Sequence, residues 1–323
     1  MCKTIDSDKF VMAMTGENKP ALTVKSGESV KFITNDALGG QVKSADTRIE
    51  TLDWDAVNPA TGPLFVEDAK PGDLLKVEIL EIKIAKLPSG ERLSAGKQHP
   101  LGEPLPEGKP LSSMITGKGI GVCSDFFDRI VARVMPIENG FVNFSDKIKI
   151  PLTPMIGVIG VAPESGKVNC GTPGEHGGNM DCKEVREGAT LYFRVFVEGA
   201  LLAMGDLHGA MGDGEVSGCG AEVPGEVTVR VSVVKGRQLP TPFISNEKAF
   251  MTIASENTIG EAIDSAALNA IDFLMNETKM TREEAVSFVS LACDVRVCQI
   301  VDPLKTARLE IPKELLAKYS IDF

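Results

Sequence analysis

The sequence predicts a mainly β protein, α+β overall, with a body of sandwich or barrel type and a small C-terminal α+β element. Three observations carry this. A turn containing glycine, usually with an acid, precedes an alternating apolar–polar run four times. Helical periodicity is confined to the last quarter of the chain. The 323 residues are 43% hydrophobic and 24% charged, which is the composition of a soluble globular protein and enough chain for about two domains.

The four turn–strand units are KSGESVKFIT (Lys25–Thr34), KPGDLLKVEIL (Lys70–Leu80), REGATLYFRVFV (Arg186–Val197) and VPGEVTVRVSVV (Val223–Val234). In the last, Val227, Val229, Val231 and Val233 share one face, and Thr228, Arg230 and Ser232 share the other. That alternation predicts a strand with one buried face. Ile49–Asp73 contains the only tryptophan, Trp54, between Asp53 and Asp55. In a strand those two acids would share a face and offer a cation site. Asn58, Thr61 and Gly62 follow in a turn. The stretch from Lys86 to Ser113 is rich in Pro, Gly and Lys and reads as a surface loop or hairpin holding His99. Pro151–Ser165 reads as a buried strand ending in a turn. Near the C-terminus, Ile259, Ile263, Ala266, Ala267, Ala270, Ile271 and Leu274 recur at helical spacing. Thr281 and Glu284 form a capping box ahead of a second helix. CQIVD (Cys298–Asp302) predicts a short strand, and PKELLAKY (Pro312–Tyr319) a last helix opened by proline. The expected units are 1–150, a β-rich part; 151–240, a β-rich part with the catalytic loops; and 241–323, the α+β element.

A net charge of −11 repels polyanions and argues against nucleic acid as a partner. A cation or a small neutral molecule suits it better. No apolar run reaches the roughly 20 residues that span a bilayer, and the N-terminus lacks a signal-type apolar core. The seven cysteines are odd in number and none are spaced CxxC. A reduced, cytoplasmic protein without a cysteine zinc finger is expected.

The chemistry concentrates in two glycine-rich stretches. GALLAMGDLHGAMGDGEVSGCGAE (Gly199–Glu222) opens as a greasy strand and then sets Asp206, His208, Asp213, Glu215 and Glu222 among glycines. In a strand, Leu202, Met204, Asp206 and His208 share a face, so Asp206 and His208 project together and can chelate a divalent metal. A metal-free His–Asp hydrogen bond would satisfy the same burial. An extended VSGCGAE would return Glu222 to that cavity, while Asp213 and Glu215 read as decoration of a surface turn. VNCGTPGEHGGNMDCKE (Val168–Glu184) holds His176, Gly177, Gly178, Asn179 and Asp181. Its glycines would let backbone N–H groups approach an oxyanion. Two rival readings stand beside an activated water. One makes Cys182 or Cys170 a nucleophile activated by His176. The other is a non-catalytic β-sandwich that binds calcium or sugar through the DGE loop.

Five blocks occur in order along nearly the whole chain: NPATGP (Asn58–Pro63), GVIGVAP (Gly157–Pro163), HGGNMD (His176–Asp181), GDLHGAMGDGE (Gly205–Glu215) and DVRVCQIVD (Asp294–Asp302). As an ordered set they resemble the acetamidase/formamidase family. The resemblance implies hydrolysis of a short aliphatic amide to carboxylate and ammonia by a metal-activated water. It implies a fold of two packed β units with a small α+β part, assembled as a homodimer or larger. It implies a divalent metal, with zinc the first choice and calcium the second. Carried onto this sequence, it puts the metal at Asp206, His208 and Glu222, with Asp53 added from its cation-site reading. Proton transfer falls to Glu222 or Asp181, with His176 and Asn179 as further catalytic groups. Gly177, Gly178 and Asn58 would meet the substrate. After QIVD many relatives read Lys-Gly-Val-His, whereas this chain reads PLKTARLEIPK (Pro303–Lys313). The missing histidine removes the expected ligand from the C-terminal segment.

Overall fold

The computed structural model describes residues 2–42, 47, 49–85 and 110–321. Two large sheets dominate it, one of nine strands and one of eleven, and neither closes into a barrel. The spine of the nine-stranded sheet is Gly225–Val234, which pairs antiparallel with Ser29–Thr34 on one side and Leu74–Ile84 on the other. Its predicted inward face is real: Val227, Val229 and Val231 are fully buried. Each such valine contributes about 1.5–3 kcal/mol relative to an exposed one. Phe32 and Val77 from this sheet meet Leu64, Ile156 and Met204 from the other in one apolar core.

The eleven-stranded sheet carries the chemistry. Leu202–His208 lies between Met155–Gly160 and Glu222–Val223, and Gly177–Asn179 pairs with Met155–Gly160. Both sheets draw strands from either side of residue 150, and the nine-stranded sheet also crosses residue 240. The three sequence segments are therefore interleaved in space.

The C-terminal element is α+β. Helix α1 (Ile259–Thr278) starts at a capping box made by Thr258 and Glu261, and α2 (Arg282–Ala292) at the box of Thr281 and Glu284. Phe273 of α1 stacks among Phe243 and Phe250 of the nine-stranded sheet, with ring centroids 4.9 and 5.3 Å away. The hairpin Asp294–Gln299/Lys305–Pro312 forms that sheet's edge. Lys313–Tyr319 is the last helix, of 3-10 type, and Pro312 caps it. The surface-loop reading of Lys86–Ser113, His99 included, falls largely outside the described residues; from Leu111 the chain is strand.

The segment around Trp54 corrects one expectation. It forms 3-10 turns at Ile49–Thr51 and Trp54–Ala56, not a strand. Asp53 is exposed and accepts a hydrogen bond from the Asp55 N–H at 3.0 Å. An Asx-type bond to the chain two residues on favours the turn over the strand, and it leaves Asp53 capping that turn with its side chain exposed.

Candidate active site

Every residue of Leu202–His208 is buried. Asp206 and His208 meet in one hollow, with His208 Nε2 3.2 Å from Asp206 Oδ1, but Leu202 and Met204 do not share their face: they pack with Leu207 in the apolar core, so the alternation breaks at Asp206. Asp206 has φ +54°, a conformation rare outside glycine and better tolerated by Asp than by most residues. The facing strand makes room with Gly157. A Cβ there would sit 2.5 Å from Asp181 Oδ1 and 2.6 Å from Asp206 Oδ2. Gly220 does the same for the imidazole, since its Cβ would fall 2.5 Å from His208 Cγ.

Glu222 stands directly across from His208 in the sheet register, and its Oε1 is 3.2 Å from His208 Nε2. Asp181 Oδ1 lies 3.8 Å and Glu215 Oε1 3.9 Å from the same nitrogen. Four buried carboxylates thus converge on one imidazole. At an effective dielectric near 20, two like charges about 4 Å apart repel by about 4 kcal/mol, so the set needs protons or a cation. Burial, then the charges of Asp302 and Asp206, hold the Asp181 carboxyl well above the usual range. Burial and the Asp181 charge do the same for Glu215. Burial pushes Glu222 up to about 7. Burial alone would depress His208, but the Glu222 and Asp206 carboxylates overcome it and hold the imidazole well above its ordinary value.

The donor set fits a metal ion. Asp181, Asp206 and His208 place ligand atoms within 4.8 Å of one another, and so do His208, Glu215 and Glu222. Both Asp181 oxygens and Glu222 Oε2 are buried without a protein hydrogen-bond partner. One imidazole among carboxylate oxygens is a donor set that divalent cations accept.

A cavity of about 180 Å³ opens onto this cluster, smaller than the roughly 300–1,000 Å³ of pockets for drug-sized ligands. Asn179, Asp206, Glu215, Glu222 and Asp302 line its polar side. Leu38, Val57, Ile115 and Ile120 line its apolar side, and half-exposed Trp54 stands at the edge. Asn58 also lines it, with φ +60°.

Other sequence-derived candidates lie elsewhere. The His176 ring is buried beside a different cleft, lined by Pro163, Glu164, Ser165, Glu175 and Phe196, and burial lowers its pKa to about 4. It does not reach the carboxylate cluster. Gly177 spends its N–H on the Gly174 carbonyl at 3.0 Å, and neither Gly177 nor Gly178 lines the cavity. Their positive φ values, 95° and 81°, shape the turn that delivers Asn179 and Asp181. The thiols are also misplaced for attack. Cys170 donates to the Val11 carbonyl and is pushed up to about 12 by burial. Cys182 is buried against Cys298. Neither lines the cavity.

Two contributors escape a reading by periodicity. Glu215 follows Asp213 in the DGE turn, yet the two diverge. Asp213 is clamped by buried Arg308 at 2.9 and 3.1 Å, while Glu215 turns inward at φ +45°. Asp302 arrives from the C-terminal hairpin, which supplies a carboxylate where the histidine was missed. Its only sequence signal is its place at the end of the fifth matched block.

Buried carboxylates and an imidazole at one small cavity are the groups that acid–base or metal-assisted hydrolysis uses. Comparison with known proteins narrows the class. The Acetamidase/Formamidase family profile matches residues 17–169 and 165–318. A predicted acetamidase/formamidase from Thermoanaerobacter tengcongensis superposes with a TM-score of 0.90 at 41% identity, covering 100% of this chain and 99% of that one. An acetamidase from Bacillus halodurans gives 0.89 at 39% identity, covering 98% and 100%. A formamidase from Methylophilus methylotrophus is 28% identical over an alignment 365 positions long that covers 90% of this chain and 86% of that protein. The chain belongs to the Acetamidase/Formamidase family.

Proposed function

We propose that this protein hydrolyses short, neutral, aliphatic amides of the formamide or acetamide kind to carboxylate and ammonia at the cluster around His208. The observation that carries the reading is the convergence of Asp181, Asp206, Glu215 and Glu222 within 4.0 Å of His208 Nε2 at the foot of a small cavity. Family membership supports amide cleavage. The cavity volume supports a substrate of few heavy atoms. Its described lining contains no Lys or Arg, which favours a neutral substrate over an anion.

Amide nitrogen is a poor leaving group, so catalysis needs a base for water and an acid for departing ammonia. Glu222 suits both tasks. Its Oε1 is held by the Gly220 N–H at 2.8 Å and the Cys219 thiol at 3.2 Å, while Oε2 stays unpaired. A carboxyl with a pKa of about 7 takes a proton from water and returns it near neutral pH without a large penalty. Asp181, Asp206 and His208 would hold a divalent cation, zinc first, with Glu215 beside them. Such an ion supplies Lewis acidity and a more acidic water. The apolar wall shields the reacting centre from bulk water.

The test is ammonia release from formamide and acetamide by the wild-type protein and by His208→Ala and Glu222→Gln, with folding checked by circular dichroism. Release by the wild type, abolished by chelation and lowered about 100-fold or more in both variants, is expected. Full activity in a folded His208→Ala protein would remove the proposal.

A further inference from the structure

The cavity floor holds a pair of side chains to which the proton-transfer steps assign no role. Asn179 is 4% exposed, and its Nδ2 donates to Asp302 Oδ2 at 3.0 Å. By accepting this bond, the Asp302 carboxyl sets which way the Asn179 amide faces. Its Oδ1 is left buried with no protein partner. Both residues line the cavity.

Asp302 is itself braced. Gln299 is fully buried. Its Oε1 accepts from the N–H groups of Val301 at 2.9 Å and Asp302 at 3.0 Å, and its Nε2 donates to the Leu304 carbonyl at 2.7 Å. Lys305 Nζ donates to the Asp302 carbonyl. The turn of the C-terminal hairpin is therefore locked from inside, and the lock ends on the carboxyl that holds Asn179.

We propose that Asp302 is a positioning residue that holds the Asn179 Oδ1 ready for an N–H of the substrate, so that the site selects primary amides over isosteres without N–H. This rests on the amidase reading above. A primary amide brings two N–H donors, whereas the matching methyl ester brings none. An ester would leave the buried Oδ1 unmatched, and sites built around a substrate N–H reject such analogues strongly. The acyl group then falls on the side of Leu38, Val57 and Ile115.

The experiment compares the KM for acetamide with the inhibition constant of methyl acetate as its competitor. Wild type, Asp302→Ala, Asp302→Asn and Asn179→Ala are measured. The wild type is expected to favour acetamide about tenfold or more. Asp302→Ala should lose most of that preference, and Asp302→Asn should regain it because its amide oxygen can still accept from Asn179. Asn179→Ala should lose the preference with Asp302 intact, which keeps the idea testable if Asp302→Ala fails to fold. Retention of the wild-type preference in Asp302→Ala or Asn179→Ala overturns the inference. Equal weakening of acetamide and methyl acetate also overturns it, since that marks a purely structural role. A wild type that releases ammonia without any such preference sinks this inference alone. A wild type that releases none from short amides sinks the amidase reading with it.

Discussion

Glu222 and His208 face each other across a strand pair, and among the described residues no lysine or arginine forms an ion pair with either; this has a consequence for pH. Glutamate in the unfolded chain ionises near 4.5, but in the fold Glu222 does so at about 7 because burial opposes its charge. The stability it contributes is complete below about 4.5 and is lost as pH rises through 7. His208, also raised, contributes in the same direction: its charged form is favoured by the fold, and that advantage disappears as pH climbs through the folded value. Protein stripped by a chelator should therefore melt at steadily lower temperature between about pH 5 and pH 8, and a divalent cation should flatten the decline. Calorimetry across that range checks it, and a melting temperature rising with pH in the stripped protein would refute it. The meeting of Asp206 and His208 was legible from their two-residue spacing at the end of an apolar run, although the left-handed Asp206 breaks the alternation and sends Met204 and Leu207 into the same core. Glu215 was not, because a glycine-rich turn has no period to project.

The elements divide along the same line. The strand Gly225–Val234 and helix α2 were readable from valine alternation and a capping box, since both signals are local. The Trp54 segment was misread because a side-chain bond from Asp53 outweighs a two-residue hint of alternation. The docking of the Asp213 loop onto the C-terminal hairpin joins residues 95 positions apart, so no local pattern announces it. That docking rests on Arg308, 1% exposed, which binds Asp213 in a fork and Glu310 at 2.8 Å. Removing a buried ion-pair partner typically costs about 3–5 kcal/mol. Arg308→Ala should lower the unfolding free energy measured by urea titration by a comparable amount, whereas Thr281→Ala, a lost cap, should cost about 1 kcal/mol. Equal small losses in the two variants would show that the clamp does not hold the loop.

At the scale of the whole molecule, two sheets made from interleaved segments bring five acids and an imidazole from four stretches of chain to one small hollow. Asp181 follows the HGGN turn, Asp206 and His208 end a central strand, Glu215 and Glu222 come from the loop and strand after it, and Asp302 comes from the far C-terminal hairpin. Which β-rich body the chain builds was foreseeable from its turns. Which residues meet was not, because the meeting depends on sheet order. A net charge of −11 adds no compensation for so many buried acids, and the proposed cation at His208 is what would complete the site. Anomalous diffraction from crystals soaked in zinc tests this most directly. A strong peak beside His208 Nε2, enclosed by Asp181 and Asp206, is expected. No peak there, in protein that still releases ammonia from acetamide after chelation, would contradict it.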